Sequence, residues 1–227
     1  MSRRGRGQGT ITPRSIETAI DRLGQTFPEG SADSFATLLA ELAKWNQRVN
    51  LTAIRAVDDM ISGHLLDSLA ARPLLEGRRV LDIGTGPGFP GLPLAIAEPD
   101  RQFTLLDSNG KKIMFVQHAA GLLGLNNVIA IKERVEDYAP GQRFDTVIAR
   151  ALAALPRLVE LAGHHVREDG VFIALKGRYP AEELLHMRDQ PWRHDVVALD
   201  VPGLDKGSRH AVLLRRRQVA QAGRQFS

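Results

Sequence analysis

The chain contains no cysteine. That absence excludes disulfides, cysteine-based zinc knuckles and a thiol nucleophile. No apolar run approaches the roughly 18 residues needed to span a bilayer. The basic start, MSRRGRGQGT, is not followed by the apolar core of an export signal. The seven histidines show no metal-ligand spacing, and no Ser-His-Asp set is suggested. Trp45 and Trp192 are the only two tryptophans, and both read as packing residues rather than stacking platforms. No internal repeat or long low-complexity linker interrupts the chain. A cytoplasmic, metal-free, monomeric protein with no membrane association is expected.

What is present is ordinary in bulk: 227 residues, 43% hydrophobic and 25% charged. The net charge of +4 is unevenly placed. Arg3, Arg4 and Arg6 lie in the first ten residues, and Arg215, Arg216, Arg217 and Arg224 lie in the last thirteen, with no acid at either end. Without these seven, 23 basic residues face 26 acidic ones. The basicity therefore sits in the ends, read as flexible basic tails over 1–10 and 216–227. Such tails add salt-sensitive affinity for phosphate backbones, or simply aid solubility.

Between the tails two rhythms follow one another. Ile16, Ile20, Leu23 and Phe27 recur at helical spacing, and Pro28-Glu29-Gly30 stops that segment. In SADSFATLLAELAKWNQRVNLT, one helical face collects Phe35, Leu38, Leu39, Leu42, Trp45 and Val49, with Ser31 or Asp33 placed to cap it. AVDDMISGHLLDSLAARP predicts a third helix, with Asp58 and Asp59 at its positive end. Residues 11–77 thus read as a helical subdomain. Over 78–215, the short apolar runs RVLDI, FTLLD, NVIAIK, FDTVIA, GVFIALK, DVVALDV and AVLLR alternate with helical stretches near 90–98, 109–124, 151–167 and 180–188. Strands buried on both faces in that alternation predict an α/β fold with a doubly wound, mostly parallel sheet. Only PGLDKGSRH separates the last two strands, too little for a helical crossover, so they should pair antiparallel. That ending favours the Rossmann-like class I sheet of methyltransferases that use S-adenosyl-L-methionine (AdoMet) over the dinucleotide fold.

The densest signal is VLDIGTGPGFPGLPLAI, from Val80 to Ile96. Gly86-Pro87-Gly88-Phe89-Pro90-Gly91 formally matches G-x-G-x-x-G, which would suggest an NAD(P)-dependent reductase. That fingerprint works by pointing backbone N–H groups at a pyrophosphate, and Pro87 and Pro90 have none to give. No G-K-[ST] is present, so a Walker-type phosphate loop is excluded. AdoMet has no phosphate. It needs close backbone approach, a carboxylate for the ribose and a polar anchor for its methionine end. Gly84, Gly86 and Gly88 offer the approach, Asp82 could reach the ammonium, and Asp107 ends the next strand where a ribose-binding acid belongs. Arg134 to Tyr138 follows the third strand, where adenine would lie.

The segments WNQRVNLTAIR, HLLDSL, LDIGTGPGFPGLPLAI, FTLLDSNGKK, ARALA, ALKG and LDKGSRH occur in an order that resembles the RsmG family (also called GidB) of bacterial 16S rRNA guanine-N7 methyltransferases. The resemblance covers about residues 15–215. SNGKK and GSRH each depart at single positions, and the basic tails are not a family feature. The resemblance implies a class I fold, AdoMet as methyl donor with S-adenosyl-L-homocysteine as product, and cofactor contacts at Gly84, Phe89, Val135, Glu136 and Arg150. It also implies 16S rRNA as partner, within the 30S subunit or its precursor, and a target guanine in the 530 loop (position 527). His64, Lys111, Arg134, Lys176 and Arg209, each inside a family-like motif, are the candidate RNA contacts. Arg150 should face the methionine carboxylate or an RNA phosphate, since its charge repels a sulfonium.

The chemistry is consistent with what the chain lacks. Without a thiolate, covalent attack on a pyrimidine C5 is closed. No Asn/Asp-Pro-Pro-aromatic motif follows the fourth strand, where exocyclic-amine methyltransferases carry it. Guanine N7 offers a lone pair and no proton at neutral pH, so no general base is required and no catalytic residue beyond positioning groups is expected. N7 faces a deep, narrow groove in A-form RNA, so the target base must be unstacked, with Phe89 a candidate to sandwich it. The competing readings are the reductase and a non-catalytic, RNA-binding assembly factor.

Overall fold

From Arg79 onward the chain builds a sheet covered on both faces. The computed structural model describes residues 10–204 and 208–217. Within them β1 (Arg79–Ile83), β2 (Gln102–Asp107), β3 (Val128–Lys132), β4 (Phe144–Arg150), β5 (Val166–Lys176), β6 (Trp192–Leu199) and β7 (Arg209–Arg216) form one sheet. The strand order is β3-β2-β1-β4-β5-β7-β6. β1 pairs in parallel with β2 and β4, β2 with β3, and β4 with β5. β7 enters antiparallel between β5 and β6, as the short link ahead of it requires.

Side-chain alternation splits the strands between two cores. Val80, Phe103, Leu105, Ile148 and Ile173 join the core on one face, and Leu81, Ile83, Leu106, Val147 and Phe172 join the other. The first face carries α5 (Gly91–Ala97), α6 (Gly110–Leu122) and the N-terminal helices; the second carries α7 (Leu155–Ala162). The N-terminal helices are α1 (Pro13–Asp21), α2 (Ser31–Val49), and α3 (Val57–Met60), which runs through a π-helical turn at Ile61–Leu66 into α4 (Asp67–Leu69). Their apolar stripes, from Ile16 and Phe35 to Leu69, share one core with Val80 and Phe115.

Several helix starts are made differently from the expectation. α1 has a reciprocal capping box between Thr12 and Ser15, with Pro13 in its first turn. α2 begins after Gly30, at φ 76°, with no side-chain cap; Ser31 is its first helical residue and is buried. Neither Ser31 nor Asp33 caps it. Pro90 and Ala154 precede α5 and α7 and offer no side-chain acceptor, so distant carboxylates take over. Asp82 accepts from the N–H of Gly91 at 2.9 Å. Glu183, in the first turn of α8 (Ala181–Leu185), accepts from the N–H of Leu155 at 2.7 Å.

The helix expected over 151–167 is shorter. Ala151 takes a left-handed φ of 50°, residues 151–154 form a loop, and His164 and His165 lie in a 3₁₀ turn at Gly163–His165. The C-terminal basic run also differs. Arg215 pairs with Glu76, Arg216 ends β7 and donates to the carbonyl of Gly163, and Arg217 donates to the carbonyls of Trp192 and Arg188. These three arginines belong to the fold. Of the expected tails, residues 1–9 and 218–227 lie outside the described residues.

Candidate active site at the strand ends

The carboxyl ends of β3, β2, β1 and β4 stand side by side, and a cavity of about 600 Å³ lies over them. This is where an open α/β sheet presents its ligands. Glu133, Arg134, Val135 and Glu136 line it after β3, Asp107 to Asn109 after β2, Gly84 to Pro87 after β1, and Arg150 to Leu152 after β4. The glycine loop is shaped by left-handed residues: Gly84, Gly86 and Gly88 have φ of 64°, 61° and 88°. A Cβ added at Gly86 would meet nothing within 4 Å, so the backbone there is open to the space above. A Cβ at Gly84 would come within 2.8 Å of Leu152 Cδ1, on the cavity wall.

Asp107 organises the middle of the row. One carboxylate oxygen accepts from the N–H of Gly86 at 2.9 Å, the other from the N–H of Asn109 at 2.8 Å, and Lys112 Nζ stands 3.9 Å away. Asp107 lines the cavity, and each oxygen keeps lone-pair capacity for a further donor. Asp82 behaves otherwise. Its buried carboxyl does not line the cavity; one oxygen accepts from Thr85 Oγ1 at 2.6 Å as well as from Gly91, and Oδ1 is buried with no partner among the described residues. Burial pushes its pKa up to about 7, against the pull of those two hydrogen bonds. Asp82 therefore holds the loop and the start of α5 rather than reaching a ligand's ammonium. Gly88 likewise lies outside the lining, tight against Leu92.

On the β4 side, Arg150 is already engaged within the chain. Its Nη1 donates to the carbonyl of Gly63 and to Asp67 Oδ2, both at 3.1 Å, and Nη2 lies 3.4 Å from His64 Nδ1. Asp67 is buried, and its other oxygen accepts from Arg209 Nε at 2.8 Å. His64 accepts or donates at Thr52 Oγ1 and stacks on Phe89 at 4.8 Å between centroids. Burial first, and the nearby Arg150 charge second, lower the His64 pKa to about 4, so the ring is neutral at pH 7.

These contacts correct several expectations. His64, expected as an RNA contact, is a buried ring packed on Phe89. Phe89 is 1% exposed and covered by His64, so its ring face is not free to sandwich a base. Lys176 is tied to Glu183 at 2.8 Å and to the carbonyl of Ala153 at 2.9 Å. Arg209, by contrast, uses only Nε on Asp67 and keeps the expected RNA contact open. Arg134 is exposed on the cavity rim, and Lys111 is exposed at the start of α6, beyond the lining. Sequence reasoning missed Asp67, the carboxylate that joins two of its candidates. The signal was the spacing in HLLDSL, where Asp67 follows His64 by three residues and so shares its helical face. The π turn between them is a device found often at functional sites.

Residues 31–212 match the family described as GidB, rRNA small subunit methyltransferase G. The chain belongs to the GidB family. Its relatives named Ribosomal RNA small subunit methyltransferase G include one from Idiomarina loihiensis, 44% identical over 202 residues, covering 89% of this chain and 98% of the relative. Another, from Legionella pneumophila strain Philadelphia 1, is 47% identical over 82% of this chain and 89% of its own length. The Coxiella burnetii Dugway relative is 45% identical over 87% and 95%. Solved structures agree on the fold. A SAM-dependent methyltransferase from Aquifex aeolicus superposes with a TM-score of 0.54 at 18% identity, over 69% of this chain and 92% of that one. One from Thiobacillus denitrificans, in complex with S-adenosyl-L-homocysteine, gives 0.53 at 15% identity over 67% and 90%. For a GidB-family chain the expected class I sheet is thus present, and the formal dinucleotide fingerprint is not a reductase signature. Among the described residues no cluster of three or more His, Asp or Glu could hold a metal, and no helix is long and apolar enough to cross a membrane.

Proposed function

We propose that this GidB-family enzyme transfers the methyl group of AdoMet to N7 of a guanine in the 530 loop of 16S rRNA, within the 30S subunit or its precursor, and works as a cytoplasmic monomer. The carrying observation is the row of strand ends: one cavity of about 600 Å³ meets a β3 loop, an acid ending β2, a bare glycine loop and the end of β4 in sequence. The residues suit AdoMet. Glu133 to Glu136 would flank the adenine, Asp107 would accept from the ribose hydroxyls, and the open backbone at Gly86 admits close approach. The methionine end then falls at Gly84 and Arg150. When bound, AdoMet supplies an electrophilic methyl on a cationic sulfonium, whose sulfur leaves as a neutral thioether.

The chain's own contribution is placement. A target with an unshared lone pair and no proton needs no base, and holding two reactants in line accounts for up to about 7–11 kcal/mol in favourable cases. Asp82 and Thr85 fix the loop from below, and Asp67 fixes Arg150. Asp67, which Arg150 shares with Arg209, offsets part of the guanidinium charge and turns it aside from the sulfonium that Arg150 would border. Transfer of labelled methyl to 30S subunits from a strain lacking this gene, followed by mapping of the modified base, tests the reading. Absence of transfer, with AdoMet bound, would favour the non-catalytic assembly factor.

A further inference from the structure

The strand row does not end at β4. β5 follows it, and β7 runs antiparallel, so its first residues stand where β5 ends, with Lys176 opposite His210. Over that continuation lies a second cavity of about 290 Å³, whose wall shares Arg150 and Ala151 with the larger one. Its other side is the π turn that presents Gly63 and His64, with Asp67 beyond it. The methionine end of the donor reading is therefore next to this space.

The polar wall of the smaller cavity is rich in donors. Asp67 uses one oxygen for Arg150 and the other for Arg209 Nε, so both guanidinium groups are held in place by one buried carboxylate. Arg209 Nη1 reaches the carbonyl of Gly177 at 3.5 Å, while Nη2 has no partner among the described residues. His210 lines the same wall, with its Nδ1 buried and without a partner among them. Arg209 Nη2 is therefore the donor that this wall can offer a polar occupant.

We infer that the smaller cavity receives the target base, and that Arg209, oriented by Asp67, selects guanine by donating to its O6. This rests on the guanine-N7 reading above. A purine whose N7 faces the shared wall presents its C6 substituent on the same edge. In guanine that substituent is an oxygen acceptor, and in adenine an amino donor. A fixed guanidinium rewards the first and opposes the second. Sites built to hydrogen-bond one group reject analogues lacking it by as much as roughly 10,000-fold.

The test uses 30S subunits reconstituted with 16S rRNA carrying guanine, hypoxanthine or 2,6-diaminopurine at the target. Hypoxanthine keeps O6; diaminopurine replaces it with an amine. The wild-type enzyme should methylate guanine and hypoxanthine at similar rates and diaminopurine at least roughly a hundredfold more slowly. Arg209→Met should lower kcat/KM on guanine roughly ten- to hundredfold and lose most of the preference for O6. It should leave AdoMet affinity by calorimetry within a few-fold of wild type, because Arg209 is outside the larger cavity and Asp67 keeps its own contact to Arg150, and Arg209→Lys should restore part of the preference. Equal wild-type rates on guanine and diaminopurine overturn the inference without any variant. So does an Arg209→Met enzyme that discriminates as wild type does, or one that loses AdoMet binding in step with activity. No transfer by wild type to any of the three bases overturns the guanine-N7 reading itself.

Discussion

An Asp82→Asn substitution should change how stability responds to pH, in a direction set by the surroundings of the carboxyl. Asp82 is 1% exposed, one of its oxygens lacks a partner among the described residues, and burial raises its pKa from 3.8 to about 7. The folded chain therefore keeps this proton to higher pH than the unfolded chain does. Below about pH 4 both states are protonated and the group is neutral in effect. As pH rises from about 4 to 7 the unfolded state releases its proton first, so stability falls, and above about 7 the penalty is constant. A difference of about three pKa units corresponds to at most about 4 kcal/mol, at roughly 1.4 kcal/mol per unit. Asparagine cannot titrate, keeps the shape and can still accept from Gly91, so the variant should gain stability relative to wild type as pH rises through that window. Burial also lowers His64 and His165 to about 4. Their contribution has the opposite slope, present above about pH 6.5 and lost on acidification, but it is common to both proteins and cancels in the difference. Urea unfolding of both proteins across that pH range reads the difference directly. A difference that stays flat, or shrinks as pH rises, would refute a carboxyl held protonated by burial.

Four further outcomes are expected. Gly84→Ala places a Cβ in a left-handed residue, which costs about 1–2 kcal/mol, and crowds Leu152 on the wall of the larger cavity; AdoMet should bind more weakly by calorimetry, and an unchanged affinity would sink the placement of the loop. Glu183→Gln weakens the charge-assisted contacts to Leu155 N–H and Lys176 and should lower unfolding free energy by about 1–2 kcal/mol; no loss in urea denaturation would mean the carboxylate is replaceable by solvent. AdoMet should give a calorimetric signal where NAD gives none, whereas NAD binding would revive the dinucleotide reading. Removing residues 1–9 and 218–227 should make RNA affinity less steep in salt without moving the modified base; an unchanged slope would exclude the ends from RNA contact.

The sequence by itself determined the sheet, because apolar runs buried on both faces are readable from composition and spacing alone. It also marked the loop, since two prolines without N–H groups weigh against a diphosphate there. Asp107 and the segment from Arg134 to Glu136 could be placed on the cavity wall because successive strand ends follow one another along the chain. What the sequence could not decide was which charges remain free. Arg150 and Arg209 lie 59 positions apart in the numbering, yet both reach Asp67. Lys176 is neutralised by a glutamate that also starts a different helix, and Asp82 is buried beneath the loop, where it holds the start of α5. A basic residue read along the chain looks solvated until folding brings an acid against it. Burial and pairing are sums over three-dimensional neighbours, and only tertiary structure supplies those neighbours.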